Sequence, residues 1–399
     1  MSPCGRYLGI AAAVMIAGAC NNNTPTGPAT VSQIVVQPDS IALDVGDSVV
    51  LTANALDSQG HLVSGIAISF NSSDTSIVTV SNVGLVRAKK KGSTHVVVSG
   101  GGVDAHIPAT ISAPAAVIDS VPVPGRPFEL ATRGSHTDVA TIGDVVGFNL
   151  TTLAAGGSVH GTWSLPVRLA FNATGDRLYV GDIGVSKIWV VNAATDSVID
   201  SIATTGAPAP LAIVGGALLV ATDANRLYKI DLGTKLATDS VPLPATAHHV
   251  LAHPNDTTLY VATRDGGTVM EVNTRTMSAT RTFTIGGRTQ AMALSPDHHT
   301  LYVANETESY VFVVNLSSGT VTDSIPMAGG SFGLAISSDG SHLYAGLPSA
   351  GKVQVISVAT RSVVTTLTVG GTPREILFDA THQHALVPNE GGWVDVLSP

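Results

Sequence analysis

A chain of 399 residues exceeds what one ordinary domain needs, so two or more domains are expected. With 44% hydrophobic residues it is too apolar for disorder, and with 41 glycines and 21 prolines it is too turn-rich for a helical protein. Only 12% of residues are charged and the formal net charge is −9, which argues against clustered Lys and Arg holding a phosphate backbone, and so against nucleic acid as a partner.

Residues 1–20 read as a targeting segment rather than as part of the fold. Arg6 supplies a short basic start, and the apolar stretch from Leu8 to Ala19 suits a signal-peptide core but is too short to span a bilayer as a helix. The run Ala17-Gly18-Ala19-Cys20 resembles a bacterial lipobox, although that family usually has Leu where Ala17 stands. The resemblance implies lipidation of Cys20, which becomes the mature N-terminus; the other reading is an ordinary signal peptide cut near Ala19. Cys4 lies in the removed segment, so Cys20 has no partner for an intramolecular disulfide, and a lipid explains the unpaired thiol. The expected location is exported, as a membrane-anchored lipoprotein at the periplasm or cell surface that meets the membrane through its lipid alone. Residues 21–30 (NNNTPTGPAT) are polar and carry Pro and Gly, as a flexible tether does.

Residues 31–113 alternate apolar and polar side chains in short bursts: Ile34–Val36, Ser48–Leu56, Ala67–Phe70, Ile77–Val80, Leu85–Ala88 and His95–Ser99. Six or seven strands in this length predict a β-sandwich. The VGDS turn, the SSDTSIVTV strand pair and the GLVRAKKKG turn, in that order, resemble the bacterial Ig-like group 2 domain, with Phe70 where that family commonly has Trp. The resemblance implies a spacer or adhesive module of a surface protein.

After a linker at 114–116, a short strand recurs, centred on Val139, Tyr179, Leu219, Tyr260, Tyr302, Tyr344 and Leu386, at spacings of 40, 40, 41, 42, 42 and 42. Around each anchor four strands can be drawn, as with Pro166–Phe171 before one anchor and Lys187–Asn192 and Val198–Ile202 after it. Four short strands in about forty residues make one propeller blade, so residues 117–399 predict a seven-bladed β-propeller. The last repeat stops at its third strand, Trp393–Ser398, while Val117–Val123 (VIDSVPV) is a fourth-strand sequence lying ahead of the first blade. Placing that segment on the last blade closes the ring and covers an edge that would otherwise invite aggregation. The fold class is therefore all-β, an N-terminal Ig-like β-sandwich plus a C-terminal propeller closed by an N-terminal strand. The run LYVANETESYVFVVNLSSGTVTDSI from Leu301 to Ile325 resembles the YVTN family, close to the lactonase-like propellers.

Loops that join the second and third strands share a face with the mouth of the central channel. They carry Asp144, Asp182, Asp223, Asp265, Glu306 with Glu308, and Glu390, which read either as solvated hairpin ends or as an acidic rim that draws cations. Hard oxygen ligands of this kind would suit calcium rather than zinc. At one equivalent position near the axis stand Glu129, Arg168, Pro210, His249, Ala291, Gly333 and Glu375, preceded in several blades by Phe128, His248, Gln290, Phe332 and Arg374. Glu129, Arg168, His249, Arg374 and Glu375 form the candidate binding set; a structural ion-pair cluster is the alternative. His298, His299, His342, His382 and His384 belong to the opposite face without metal-ligand spacing, and no GxSxG elbow, CxxCH haem site or phosphate loop occurs. The reading that follows is a binding or scaffold protein with no catalytic residues assigned, recognising a protein, a glycan or a small molecule. The rival is a metal-assisted, lactonase-like hydrolase with Glu129 or Glu375 as base.

Overall fold

A computed structural model describes residues 30–112, 115–134, 136–379 and 384–398. The targeting segment, Cys4, Cys20 and most of the tether lie outside the described residues, as does His382. The chain divides into two compact units between Ile111 and Ser112. Among the described residues all regular structure is β apart from one 3₁₀ turn at Pro348–Ala350, and no helix is long and apolar enough to cross a membrane.

The first unit holds nine strands in three sheets of two, three and four strands. The predicted burst Ser48–Leu56 is two strands: Ser48–Val50 pairs with Leu85–Arg87, and Thr52–Leu56 pairs with Gln33–Gln37. Between them Leu51, 1% exposed, turns inward and donates its N–H to the Gly84 carbonyl, so the chain changes sheets there. A ten-residue strand, Val103–Ser112, escaped the sequence reading, although its register with Gly92–Gly100 runs unbroken. Ile107, Ala109 and Ile111 on its inner face join Val96 and Val98 in the core.

The second unit consists of seven four-stranded antiparallel sheets, each a blade, numbered here along the chain. Blade 1 spans Pro127–Ser158, blade 2 Pro166–Ala203, blade 3 Pro208–Pro242, blade 4 Ala247–Thr284, blade 5 Thr289–Pro326 and blade 6 Leu334–Thr368. Blade 7 takes three strands from Leu377–Ser398 and its fourth, Ala116–Pro122, from the start of the unit. All seven anchor positions lie in second strands, and the closing strand pairs as the sequence predicts, Val121 opposite Val394 and Pro122 opposite Trp393. Closure begins slightly earlier than expected. Ala115, assigned to the linker, is already packed with Tyr344, Val353 and Phe378, and Ala116 opens the strand.

The repeat has a simple physical basis. Second-strand runs such as Leu343-Tyr344-Ala345 are apolar throughout because both faces are buried between neighbouring blades. Leu343 and Ala345 pack with Ala304 and Val311 of blade 5, while Tyr344 packs with Phe378 and Val387 of blade 7. In blades 1 to 5 the hairpin from third to fourth strand is set by an Asx turn, as where the Asn315 carboxamide oxygen accepts the N–H groups of Ser317 and Ser318 at 2.9 Å each. First strands lie side by side around the axis, and the ring closes where Pro127–Arg133 meets Ala385–Asn389.

Candidate functional site

Near the channel mouth the pairing of first and second strands is interrupted in five blades. Register jumps occur between Pro127 and Glu129, Pro166 and Arg168, Pro208 and Leu211, Ala247 and His249, and Thr289 and Met292. A bulge re-aims side chains that would otherwise alternate between faces. Consecutive residues such as Phe128 and Glu129, or His248 and His249, therefore both find partners around the axis. Blade 6 achieves the same without a regular ladder. The predicted strand Ser331–Ile336 begins only at Leu334, and just before it Gly333 lies where a Cβ would meet the Arg374 carbonyl oxygen at 2.1 Å. Only glycine permits that approach.

Two groups of contacts result. One is largely aromatic: Phe332 meets Phe128 edge-on at 6.1 Å and His248 at 5.0 Å, and the Arg374 guanidinium lies 4.7 Å from the Phe332 centroid and 5.5 Å from that of Phe128. The other is charged. Arg168 donates to Glu129 at 2.6 Å and to the His248 carbonyl at 3.2 Å, linking blades 1, 2 and 4, and Glu129 accepts the Leu169 N–H at 2.9 Å. His249 Nε2 of blade 4 faces Glu375 of blade 7 at 3.6 Å, within ion-pair range but longer than a hydrogen bond. The structure thus brings together all five residues of the expected binding set, with members from blades 1, 2, 4 and 7.

Burial drives the electrostatics here. It pushes the Glu129 carboxyl above its ordinary value; Arg168 opposes the rise and the nearby Glu375 charge adds to it. Burial also pushes Glu375 up, but His249 and Arg168 outweigh it and hold this carboxyl below the usual range. His248 is held well below its ordinary value, first by burial and then by the surrounding Arg168, Arg264 and Arg374 charges. It stands neutral at pH 7.

The expected acidic rim resolves into separate roles. Asp182 is fully buried and ties a loop together, accepting the N–H groups of Ser164 at 2.9 Å, Leu165 at 2.8 Å and Gly184 at 3.1 Å. It ends its second strand where Asn305 and Asn389 end theirs, and Asn305 does the same work toward Thr307 and Glu308. Asp144 accepts from Ser158 at 2.6 Å and Asp223 from the Ala207 N–H at 2.9 Å. Asp265 pairs with Arg288 at 2.7 Å, and Glu390 with Arg126 and Arg374. Glu306 accepts from Arg264 Nε at 3.0 Å and from Gln290 Nε2 at 2.6 Å. These oxygens face protein donors rather than one another, and among the described residues no group of three or more His, Cys, Asp or Glu is placed to hold a metal ion.

Arg264 was missed from sequence. It follows the last residue of its second strand, as Asp223, Glu306 and Glu390 follow theirs, and aligning on that position would have found it. An open groove of about 760 Å³ lies elsewhere, beside the third and fourth strands of blade 1, lined by Asp144, Ser158, His160 and Trp163 among others. Its polar atoms are largely engaged locally, as where the Trp163 indole donates to the Val159 carbonyl at 3.3 Å. At the axis the situation differs. Five buried side-chain polar atoms lack a hydrogen-bond partner among the described residues, and three of them (Arg168 Nε, His249 Nδ1 and Gln290 Oε1) belong to the channel mouth.

Residues 30–106 match the family model of the bacterial Ig-like domain (group 2). No curated protein matches the chain. Among solved structures it is similar to the hydrazine synthase of Kuenenia stuttgartiensis, with a TM-score of 0.64 and 17% identity over 69% of this chain and 96% of that one. At that identity the likeness is one of fold alone.

Proposed function

We propose that the chain is an exported, lipid-anchored surface protein that carries its propeller on an Ig-like spacer and binds a ligand at the channel mouth. The observation that carries the binding role is that three buried polar atoms without a partner, Arg168 Nε, His249 Nδ1 and Gln290 Oε1, belong to the first strands of blades 2, 4 and 5 among the residues of the channel mouth. An unsatisfied buried polar atom costs about 1–3 kcal/mol, and such a cost is retained where something else completes the hydrogen bonds. Export and anchoring rest on the apolar stretch that ends at Cys20, and the group 2 Ig-like match agrees with a spacer role. The rival hydrolase has no observation in its favour, since Glu129 is engaged by Arg168 and Glu375 has His249 beside it.

Anchoring is tested by replacing the cysteine. In fractionated cells Cys20→Ser moves the protein from the membrane to the soluble fraction, with the propeller still folded by circular dichroism. A variant that sediments with membranes as the parent does shows that lipid on Cys20 is not the anchor.

A further inference from the structure

We infer that the channel mouth takes a small, uncharged, polyhydroxylated ligand, a neutral sugar or polyol, with its hydroxyls toward Arg168, His249 and Gln290. The inference rests on the binding reading above and narrows it to a chemical class. Charge bookkeeping leads there. The full charges meeting at the mouth are already matched: Arg168 with Glu129, Arg264 with Glu306, Arg374 and Arg126 with Glu390, and Arg288 with Asp265, while Glu375 has His249 beside it. A charged ligand that competes for Arg168 would have to displace Glu129, and breaking that buried pair costs about 3–5 kcal/mol.

What remains unspent is uncharged hydrogen-bonding capacity. Arg168, 6% exposed, keeps one N–H donor free, and Gln290, fully buried, keeps one carbonyl acceptor free. His249 keeps Nδ1 free, a donor when the ring is protonated opposite Glu375 and an acceptor when it is neutral. A hydroxyl both donates and accepts, so a set of adjacent hydroxyls serves all three atoms without bringing charge.

The test is isothermal titration of the full chain, kept in a detergent without a sugar headgroup, against five probes of one size. Three are neutral methyl pyranosides (gluco, manno and galacto), one is glucuronate and one is glucosamine. At least one neutral pyranoside binds, more tightly than either charged sugar. Arg168→Lys, which keeps the charge but not the Nε–H, weakens it about tenfold or more, as loss of one buried hydrogen bond does. Gln290→Met, which removes the free carbonyl, does the same and serves if the lysine variant fails to fold. Tighter binding of glucuronate or glucosamine overturns the neutral class while leaving the mouth a binding site. Binding that both variants leave unchanged moves the site elsewhere and overturns the inference, and no heat from any probe overturns the class and weighs against the binding reading as well.

Discussion

Replacing Arg168 with Ala lowers the stability of the propeller by about 3–5 kcal/mol at neutral pH, because it strands a carboxylate inside the channel. Glu129 loses its 2.6 Å partner, and the brace to the His248 carbonyl goes with it. The cost is pH-dependent in a definite direction. Glu129 already titrates above its ordinary 4.5 in the parent, so this group contributes stability below pH 4.5 and loses it as pH rises through the raised value. Without the guanidinium that rise is steeper, so the gap between parent and Arg168→Ala is widest near pH 7 and narrows below pH 4.5. The Glu375 charge that faces Glu129 from blade 7 is present in both proteins. Arg168→Met combined with Glu129→Gln recovers part of the loss, since neither charge is then left alone. Denaturant melts of the three proteins at several pH values decide it. A penalty that is constant with pH means that Arg168 works by packing rather than by charge.

The second large effect belongs to the closing strand. Val121 is 5% exposed and packs between blades 7 and 1 with Phe148, Leu130, Val394 and Val396. Val121→Asp buries an unpaired charge at that joint and is expected to cost more than about 3 kcal/mol. Ile118, three residues earlier, is 51% exposed and sits at the bulge between Val117 and Asp119. Ile118→Asp changes stability by less than about 0.5 kcal/mol. Thermal or denaturant unfolding of the two variants separates a strand built into the ring from one lying loosely on it. Equal, small effects would mean the latter.

Much of this architecture can be read from residues alone, for a reason visible in the strands themselves. A second strand buried on both faces is largely apolar along its centre, and its flanking turns often carry Asn, Asp or Gly, so a similar short word recurs seven times. The closing strand was legible because VIDSVPV is the fourth-strand word displaced to the front of the unit. Axial position also gave the candidate set, because residues entering a first strand necessarily approach the centre.

Pairing was less legible. That Arg168 reaches past blade 3 to blade 4, and that His249 meets Glu375 on the far side, depends on channel width and on bulges that leave no sequence signature. The same holds for Asp182. From sequence it is one more acid on a hairpin, whereas its burial and three backbone N–H partners make it a structural brace. In the first unit the switch of sheets at Leu51 hid inside a single apolar burst, since a change of partner does not change composition.

The mouth exists only if the ring is closed, because Phe128 of blade 1 meets Arg374, which leads into blade 7, and Glu129 feels the charge of Glu375. Native-state hydrogen exchange across residues 116–122 tests this most directly. Closure predicts that the paired amides of this segment exchange as slowly as those of Trp393–Ser398, opening only with the whole propeller. Fast exchange there beside a protected Trp393–Ser398 strand would contradict it.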